Sequence, residues 1–291
     1  MDIRALLMGL AFALMWSSAF TSARIIVSEA PPLSALALRF LISGLIAVAI
    51  AHAVGQNWQL TRGQWLATIV FGICQNALYL GLNFVAMQTI EASLAAIIAS
   101  TMPLLVAMVG WIIFREKMPP VGIIGLFAGV AGVVLIMGAR LQGDVHLFGI
   151  MLCFIGVVSL TLATLAVRGA SSGGNILMIV GLQMLIGSVC LAIPAVSFET
   201  VNIDLSWRLI AAFTYTTFIP GLAATIVWFQ LVRRIGAVKA ATFHFLNPFL
   251  GVAIAAVFLN ESLRWLDILG VAIIAGGILA VQLSKQTSAR Q

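Results

Sequence analysis

His244 and Asn247 stand three residues apart in one apolar run, and Tyr79 and Asn83 stand four apart in another. Side chains three or four positions apart share a helix face, so each pair presents its polar groups together. Gln75 and Asn76 extend the second pair into a polar stripe. Polar groups are costly to leave unpartnered in an apolar medium, so both stripes are expected to face a cavity or a neighbouring helix. Trp16 and Trp228 offer indole walls, Ser17 adds a hydroxyl beside the first, and Met102 a soft apolar contact beside Pro103. The candidate substrate-contacting set is therefore Trp16, Ser17, Tyr79, Asn83, Met102, Trp228, His244 and Asn247. Hydroxyls, amides, indoles and one imidazole suit a neutral or zwitterionic, amino-acid-like solute.

Other chemistries lack their residues. None of the nine acids lies near the middle of an apolar run, so the counter-charge that an exporter of lipophilic cations would need is missing. Phosphorylated cargo would call for buried Lys or Arg in the cavity. Arg39, some six residues into the second run, is instead expected to snorkel outward or to pair with Glu29 or Glu91. There is no G-x-x-x-x-G-K-[ST] loop, no H-E-x-x-H pair and no nucleophile elbow, which argues against ATP hydrolysis and against an enzyme. Cys74, Cys153 and Cys190 all fall in apolar runs with no metal-ligand or disulfide spacing. No catalytic residue, cofactor or metal is expected.

What must position these side chains is a bilayer. Of 291 residues, 62% are hydrophobic and only 8% charged, against roughly 25% charged in a soluble domain. The +6 net charge comes from single or paired basic residues at the ends of apolar runs, a membrane-topology pattern rather than a nucleic-acid footprint. A span needs about 20 apolar residues. Ten runs meet this, near 5–27, 33–54, 64–87, 92–114, 120–139, 146–167, 175–197, 207–231, 237–259 and 265–284. The first lacks a signal peptide's short apolar core and cleavage site and is expected to be retained.

The runs repeat. Leu82–Ile136 shifted by 145 positions falls on Val227–Val281 without a gap, matching Pro103 to Pro248, Glu116 to Glu261, Gly125 to Gly270 and Gly132 to Gly277. Earlier positions match at an offset of 140, Gly9 with Gly149 and Thr21 with Thr161. Residues 1–140 and 141–291 thus form two five-helix repeats. Five is odd, so the second repeat enters the membrane from the opposite side. The expected fold is an all-α polytopic membrane protein of ten transmembrane helices in two inverted five-helix repeats. Such inversion gives secondary transporters two interchangeable conformations around a midplane site.

Within this plan Pro103 and Pro248 sit mid-span, where each removes a backbone hydrogen bond and is expected to kink the helix and gate the cavity. Glu116 and Glu261, at span ends, are expected to cap helices or hold turns. Gly122, Gly125, Gly129 and Gly132, with Gly270, Gly276 and Gly277, form small-residue faces that allow close helix approach, within one chain or between two. Arg62, Arg115, Lys117, Arg233 and Arg234 fall in alternate links, whereas Glu29, Glu91, Asp204 and Glu261 fall in the others. The positive-inside rule then puts both termini in the cytoplasm.

Trp16-Ser17-Ser18-Ala19-Phe20, Pro31-Pro32, Arg39-Phe40, Pro103 with Arg115-Glu116, and Asn247-Pro248 with Asn260-Glu261-Ser262 together resemble the EamA type of the drug/metabolite transporter superfamily. The resemblance runs the length of the chain and is nearest to the YddG-type bacterial amino-acid exporters. Ser17 departs from it, standing where many relatives carry glycine. The resemblance implies an inner-membrane secondary transporter that exports aromatic and other neutral amino acids, or similar small metabolites, by alternating access, as a monomer or homodimer. A multidrug or other metabolite exporter is the alternative within transport, and a non-transporting membrane scaffold the alternative outside it.

Overall fold

The computed structural model describes residues 3–140, 146–166, 174–236 and 240–288. Residue 167, the last of the sixth expected span, and residues 237–239, the first three of the ninth, lie outside the described residues, as do 168–173. All regular structure among the described residues is helical. Ten helices are long and apolar enough to cross a membrane: α1 Ile3–Glu29, α2 Pro32–Ala53, α3 Arg62–Ala86, α4 Ala92–Ile112, α5 Pro120–Gly138, α6 Leu147–Ala166, α7 Ile176–Phe198, α8 Trp207–Ile235, α9 Thr242–Leu259 and α10 Trp265–Ser284. Their outward faces carry large apolar side chains, among them Ile124, Phe127 and Val134 on α5 and Phe148, Met151 and Phe154 on α6. Such faces are stable only against lipid, so the chain is a multi-pass membrane protein.

Local signals set the helix starts. Proline occupies the first position of α2, where a missing N–H costs nothing. Thr61 and Gln64 form a reciprocal capping box at α3, and Ser206 accepts from the Leu209 N–H at α8. Four spans are not plain α-helices. Helix α3 passes through a π-helical stretch at Gly72–Tyr79 and α8 through another at Thr217–Ala223. The two stretches begin 145 positions apart, in the register of the sequence repeat. The stretch in α8 contains Pro220, which has no N–H to give to the ladder.

Spans α4 and α9 are broken, again in register. Helix α4 runs Ala92–Ala99, turns at Ser100 and Thr101, and resumes at Met102. Helix α9 opens as a 3₁₀ turn, Thr242–Leu246, and becomes α-helical at Asn247. Pro103 and Pro248 each fall in the first turn of the second segment. Each proline therefore starts a helix rather than bending a continuous one, and its missing N–H falls where no intrahelical partner exists.

The chain divides into two compact units, one of Met1–Thr21, Ile90–Leu147 and Ala223–Gln291, the other of Ser22–Thr89 and Phe148–Leu222. Each unit draws on both sequence repeats. In the first, α5 and α10 pack along their glycines. A Cβ on Gly125 would lie 2.9 Å from the Gly277 carbonyl oxygen, and one on Gly132 would lie 2.9 Å from that of Gly270. The small-residue face thus closes a seam within one chain. As α5 advances from 125 to 132 its contact on α10 retreats from 277 to 270, so the helices run antiparallel. In the same unit Glu261, just past α9, holds the start of α4 by accepting from the N–H groups of Ala92 at 2.7 Å and Ser93 at 2.9 Å.

The second unit repeats this design with α2 and α7. A Cβ on Gly181 would lie 3.0 Å from the Gly44 carbonyl oxygen, and Ser188 Oγ donates to the Ala37 carbonyl at 2.8 Å. These helices too run antiparallel. Glu199, at the end of α7, accepts from the N–H groups of Leu33 at 2.7 Å and Ser34 at 2.8 Å, and Gln56, just past α2, accepts from the Met178 N–H at 3.0 Å. Acceptors placed on helix N-termini satisfy orphan donors and, where charged, complement the helix dipole.

Candidate functional site

In the first unit α1, α8 and α9 bring together five of the candidate residues: Trp16, Ser17, Trp228, His244 and Asn247. The 3₁₀ turn at Thr242–Leu246 makes this possible on α9. Side chains three apart eclipse in a 3₁₀ helix, which stacks His244 on Asn247 more directly than an α-helix would. The Asn247 amide nitrogen and His244 Nδ1 are 2.9 Å apart. Ser17 Oγ lies 3.4 Å from both Oδ1 and the backbone carbonyl of Asn247. One assignment satisfies the chain: the Ser17 hydroxyl donates to Asn247 Oδ1, and Asn247 Nδ2 donates to His244 Nδ1. That fixes the neutral imidazole tautomer with its proton on Nε2, a donor directed away from Asn247.

Aromatic rings surround the imidazole. Phe12 lies edge-on to it at 5.4 Å between centroids and 85°, and Trp228 at 5.2 Å and 62°. Phe12 in turn stacks on Trp228 at 4.7 Å and on Trp16 at 5.7 Å, both at 34°. Phe12 is fully buried at the centre of the group, and sequence reasoning missed it. The available signal was its place four residues before Trp16, one helical turn away on the same face. Trp228 also packs with Met8, Val232 and Phe243 over Ala5, Leu231 and Ala240. The Phe243 ring occupies the space a side chain at Gly9 would need, so glycine there admits α9 against α1.

Ser17 and Asn247 are buried, whereas Trp16, Trp228 and His244 are half-buried. The group can therefore offer π faces and an N–H donor to a solute while its amide and hydroxyl hold the imidazole in place. Met102 is half-buried at the start of the second segment of α4, in the register position of Asn247.

Tyr79 and Asn83 belong to the second unit, and both are buried. Asn83 Nδ2 donates to the Tyr79 carbonyl at 2.7 Å and Asn83 Oδ1 accepts from the Cys153 thiol at 3.3 Å. Gly156 of α6 closes on the same pair. Both ends of the Asn83 amide are thus engaged, Nδ2 within α3 and Oδ1 across to α6. The polar stripe they continue is rephased by the π-helical stretch, and Asn76 Nδ2 donates to the Gln183 carbonyl on α7 at 2.9 Å. Among the described residues no group of three or more His, Cys, Asp or Glu is arranged to hold a metal ion.

Comparison with known proteins accounts for nearly the whole chain. The sequence profile of the EamA-like transporter family matches it twice, over residues 3–138 and 147–283. The uncharacterized transporter YvbV of Bacillus subtilis is 27% identical over 94% of this chain and 90% of its own. The uncharacterized inner membrane transporter YedA of Escherichia coli is 26% identical over 96% and 91%. A chloroplastic WAT1-related protein of Arabidopsis thaliana is 25% identical over 93% of this chain and 67% of its own. A solved crystal structure aligns over 99% of both chains with a TM-score of 0.71 at 21% identity, a likeness of fold.

Proposed function

Because the chain belongs to the EamA-like transporter family, we propose that this transporter is a secondary exporter of neutral or zwitterionic amino acids, aromatic ones included, across a bacterial inner membrane. The carrying observation is the Ser17–Asn247–His244 hydrogen-bond chain framed by Phe12, Trp16 and Trp228 inside membrane spans. An ionisable side chain such as His244 inside a membrane span is a mark of a solute pathway, and the aromatic frame suits a flat or apolar side chain. Trp16, Ser17, Met102, Trp228, His244 and Asn247 contact the solute, with Tyr79 and Asn83 on the pathway in the second unit. The YddG-type likeness of the sequence favours the amino-acid class.

The two repeats are inverted in the membrane and exchange roles during alternating access. Antiparallel packing of the repeat-equivalent pairs α5–α10 and α2–α7 supports this. The breaks before Pro103 and Pro248 serve as hinges, and both termini face the cytoplasm. The test is uptake of a radiolabelled amino-acid panel into proteoliposomes holding the purified chain. Saturable uptake of aromatic or other neutral amino acids, absent from protein-free liposomes, is the expected result. Transport of lipophilic cations in their place would transfer the protein to the multidrug class.

A further inference from the structure

Arg39 does not snorkel. It sits seven residues past the start of α2, about 10 Å along the helix axis, and is only 6% exposed. Its Nε is buried with no hydrogen-bond partner among the described residues. Of the two carboxylates expected to pair with it, Glu91 belongs to the first unit, and in the second unit both Glu29 and Glu199 have other partners. Glu29 accepts from the Ser206 hydroxyl, and Glu199 spends both oxygens on the start of α2. The guanidinium lies over the ring of Phe40 at 5.2 Å and against the π-helical stretch of α8, where a Cβ on Gly221 would come 3.3 Å from Nη2. Glycine at that point lets the π turn approach the cation closely, since a Cβ there would also stand 3.0 Å from the Thr216 carbonyl oxygen and 3.7 Å from Ser43 Oγ. Ser43, one turn further along the same face of α2, is fully buried and reaches the Thr217 carbonyl at a long 3.5 Å.

We propose that Arg39, with the Ser43 hydroxyl beside it, is an anion subsite that receives the carboxylate of the transported solute. A guanidinium stays charged even when buried, and its planar fork matches a carboxylate through two parallel hydrogen bonds. A buried cation with a free donor is most economically neutralised by a group that arrives and leaves with each cycle. The inference rests on the transporter reading and narrows its substrate class to solutes bearing an acid group. It also corrects the expectation that no buried cation is available to an anionic group.

The experiment compares L-phenylalanine, phenylalanine amide and phenethylamine as solutes for the full chain in proteoliposomes, in wild type and in Arg39→Gln, Arg39→Lys and Gly221→Ala. Wild type is expected to move the acid at least about tenfold faster than the amide or the amine, because those analogues leave the guanidinium unpaired. Arg39→Gln is expected to lose that preference, Arg39→Lys to retain part of it, and Gly221→Ala to weaken it by crowding Nη2. A purely structural Arg39 would slow acid and amide alike and leave their ratio unchanged, which overturns the subsite. Equal movement of acid, amide and amine by wild type also overturns it while leaving the transporter reading intact. Should Arg39→Gln fail to fold, the wild-type ratios and Gly221→Ala decide alone. Movement of solutes without an acid group, with none of the three probes moving, defeats both readings.

Discussion

Gly277 lies so close to Gly125 that a Cβ on Gly277 would stand 2.5 Å from the Gly125 carbonyl oxygen. Its repeat equivalent obeys the same relation in reverse, since Gly132 corresponds to Gly277 and packs on Gly270, the equivalent of Gly125. Reciprocal pairing of this kind is what a local two-fold relation between α5 and α10 produces. It makes a sharp prediction. Gly277→Val should cost about 1–3 kcal/mol through overpacking and lower the melting temperature in detergent. The adjacent Gly276 meets nothing within 4 Å, so Gly276→Ala should gain up to about 1 kcal/mol from helix propensity. Equal melting temperatures for the two variants would refute the seam.

Glu261 holds the first N–H groups of α4 from beyond the end of α9. Glu261→Gln keeps the shape and removes the charge, and should cost about 1–2 kcal/mol. Faster hydrogen exchange at Ala92 and Ser93 should accompany the loss. Exchange unchanged from wild type would mean that these amides are protected by something else.

Asn247→Ala removes the group that orients His244 and accepts from Ser17. Losing a partner of this kind is worth about 1–3 kcal/mol, so uptake should fall by a factor of about 5 to 150. His244→Gln, which keeps an amide donor, should retain more activity than His244→Phe. Melting temperatures near wild type would separate the effect from unfolding. Full uptake by Asn247→Ala would remove the polar chain from the solute pathway.

Orientation is checked with single cysteines in a background lacking Cys74, Cys153 and Cys190. Gln59 and Asn202 are both exposed links. With cytoplasmic termini, an impermeant maleimide applied to intact cells should label Asn202→Cys and spare Gln59→Cys. The reverse pattern would invert the topology.

The described carboxylates of Glu29, Glu199, Glu261 and Asp267 are engaged by backbone or hydroxyl donors at helix ends, so none of the four is placed as a proton carrier. Final solute concentrations across a liposome membrane should therefore equalise whatever pH gradient is imposed at zero membrane potential. Accumulation driven by the gradient, and lost on replacing His244, would establish coupling.

The ten spans and the repeat were determined by the sequence alone, because hydropathy over a 20-residue window and identity at a fixed offset are both local quantities. The same is true of the glycine faces and of the end-of-span acids, whose types restrict what they can do at any helix terminus. The His244–Asn247 pair was legible for a similar reason, since the two are near neighbours in the chain. Everything that depends on a distant partner was decided by the tertiary structure. Phe12 became the centre of the cluster only when α8 and α9 supplied Trp228 and His244. Asn83 was turned toward α6 by Cys153 and Gly156. The π and 3₁₀ turns changed the phase of helices that periodicity treats as uniform, because a backbone ladder yields to contacts that a one-dimensional pattern does not contain. Arg39 is the clearest case. Its position in α2 is a matter of counting, but its burial beside a glycine in a π turn of α8, 182 positions further on, exists only once the helices are packed.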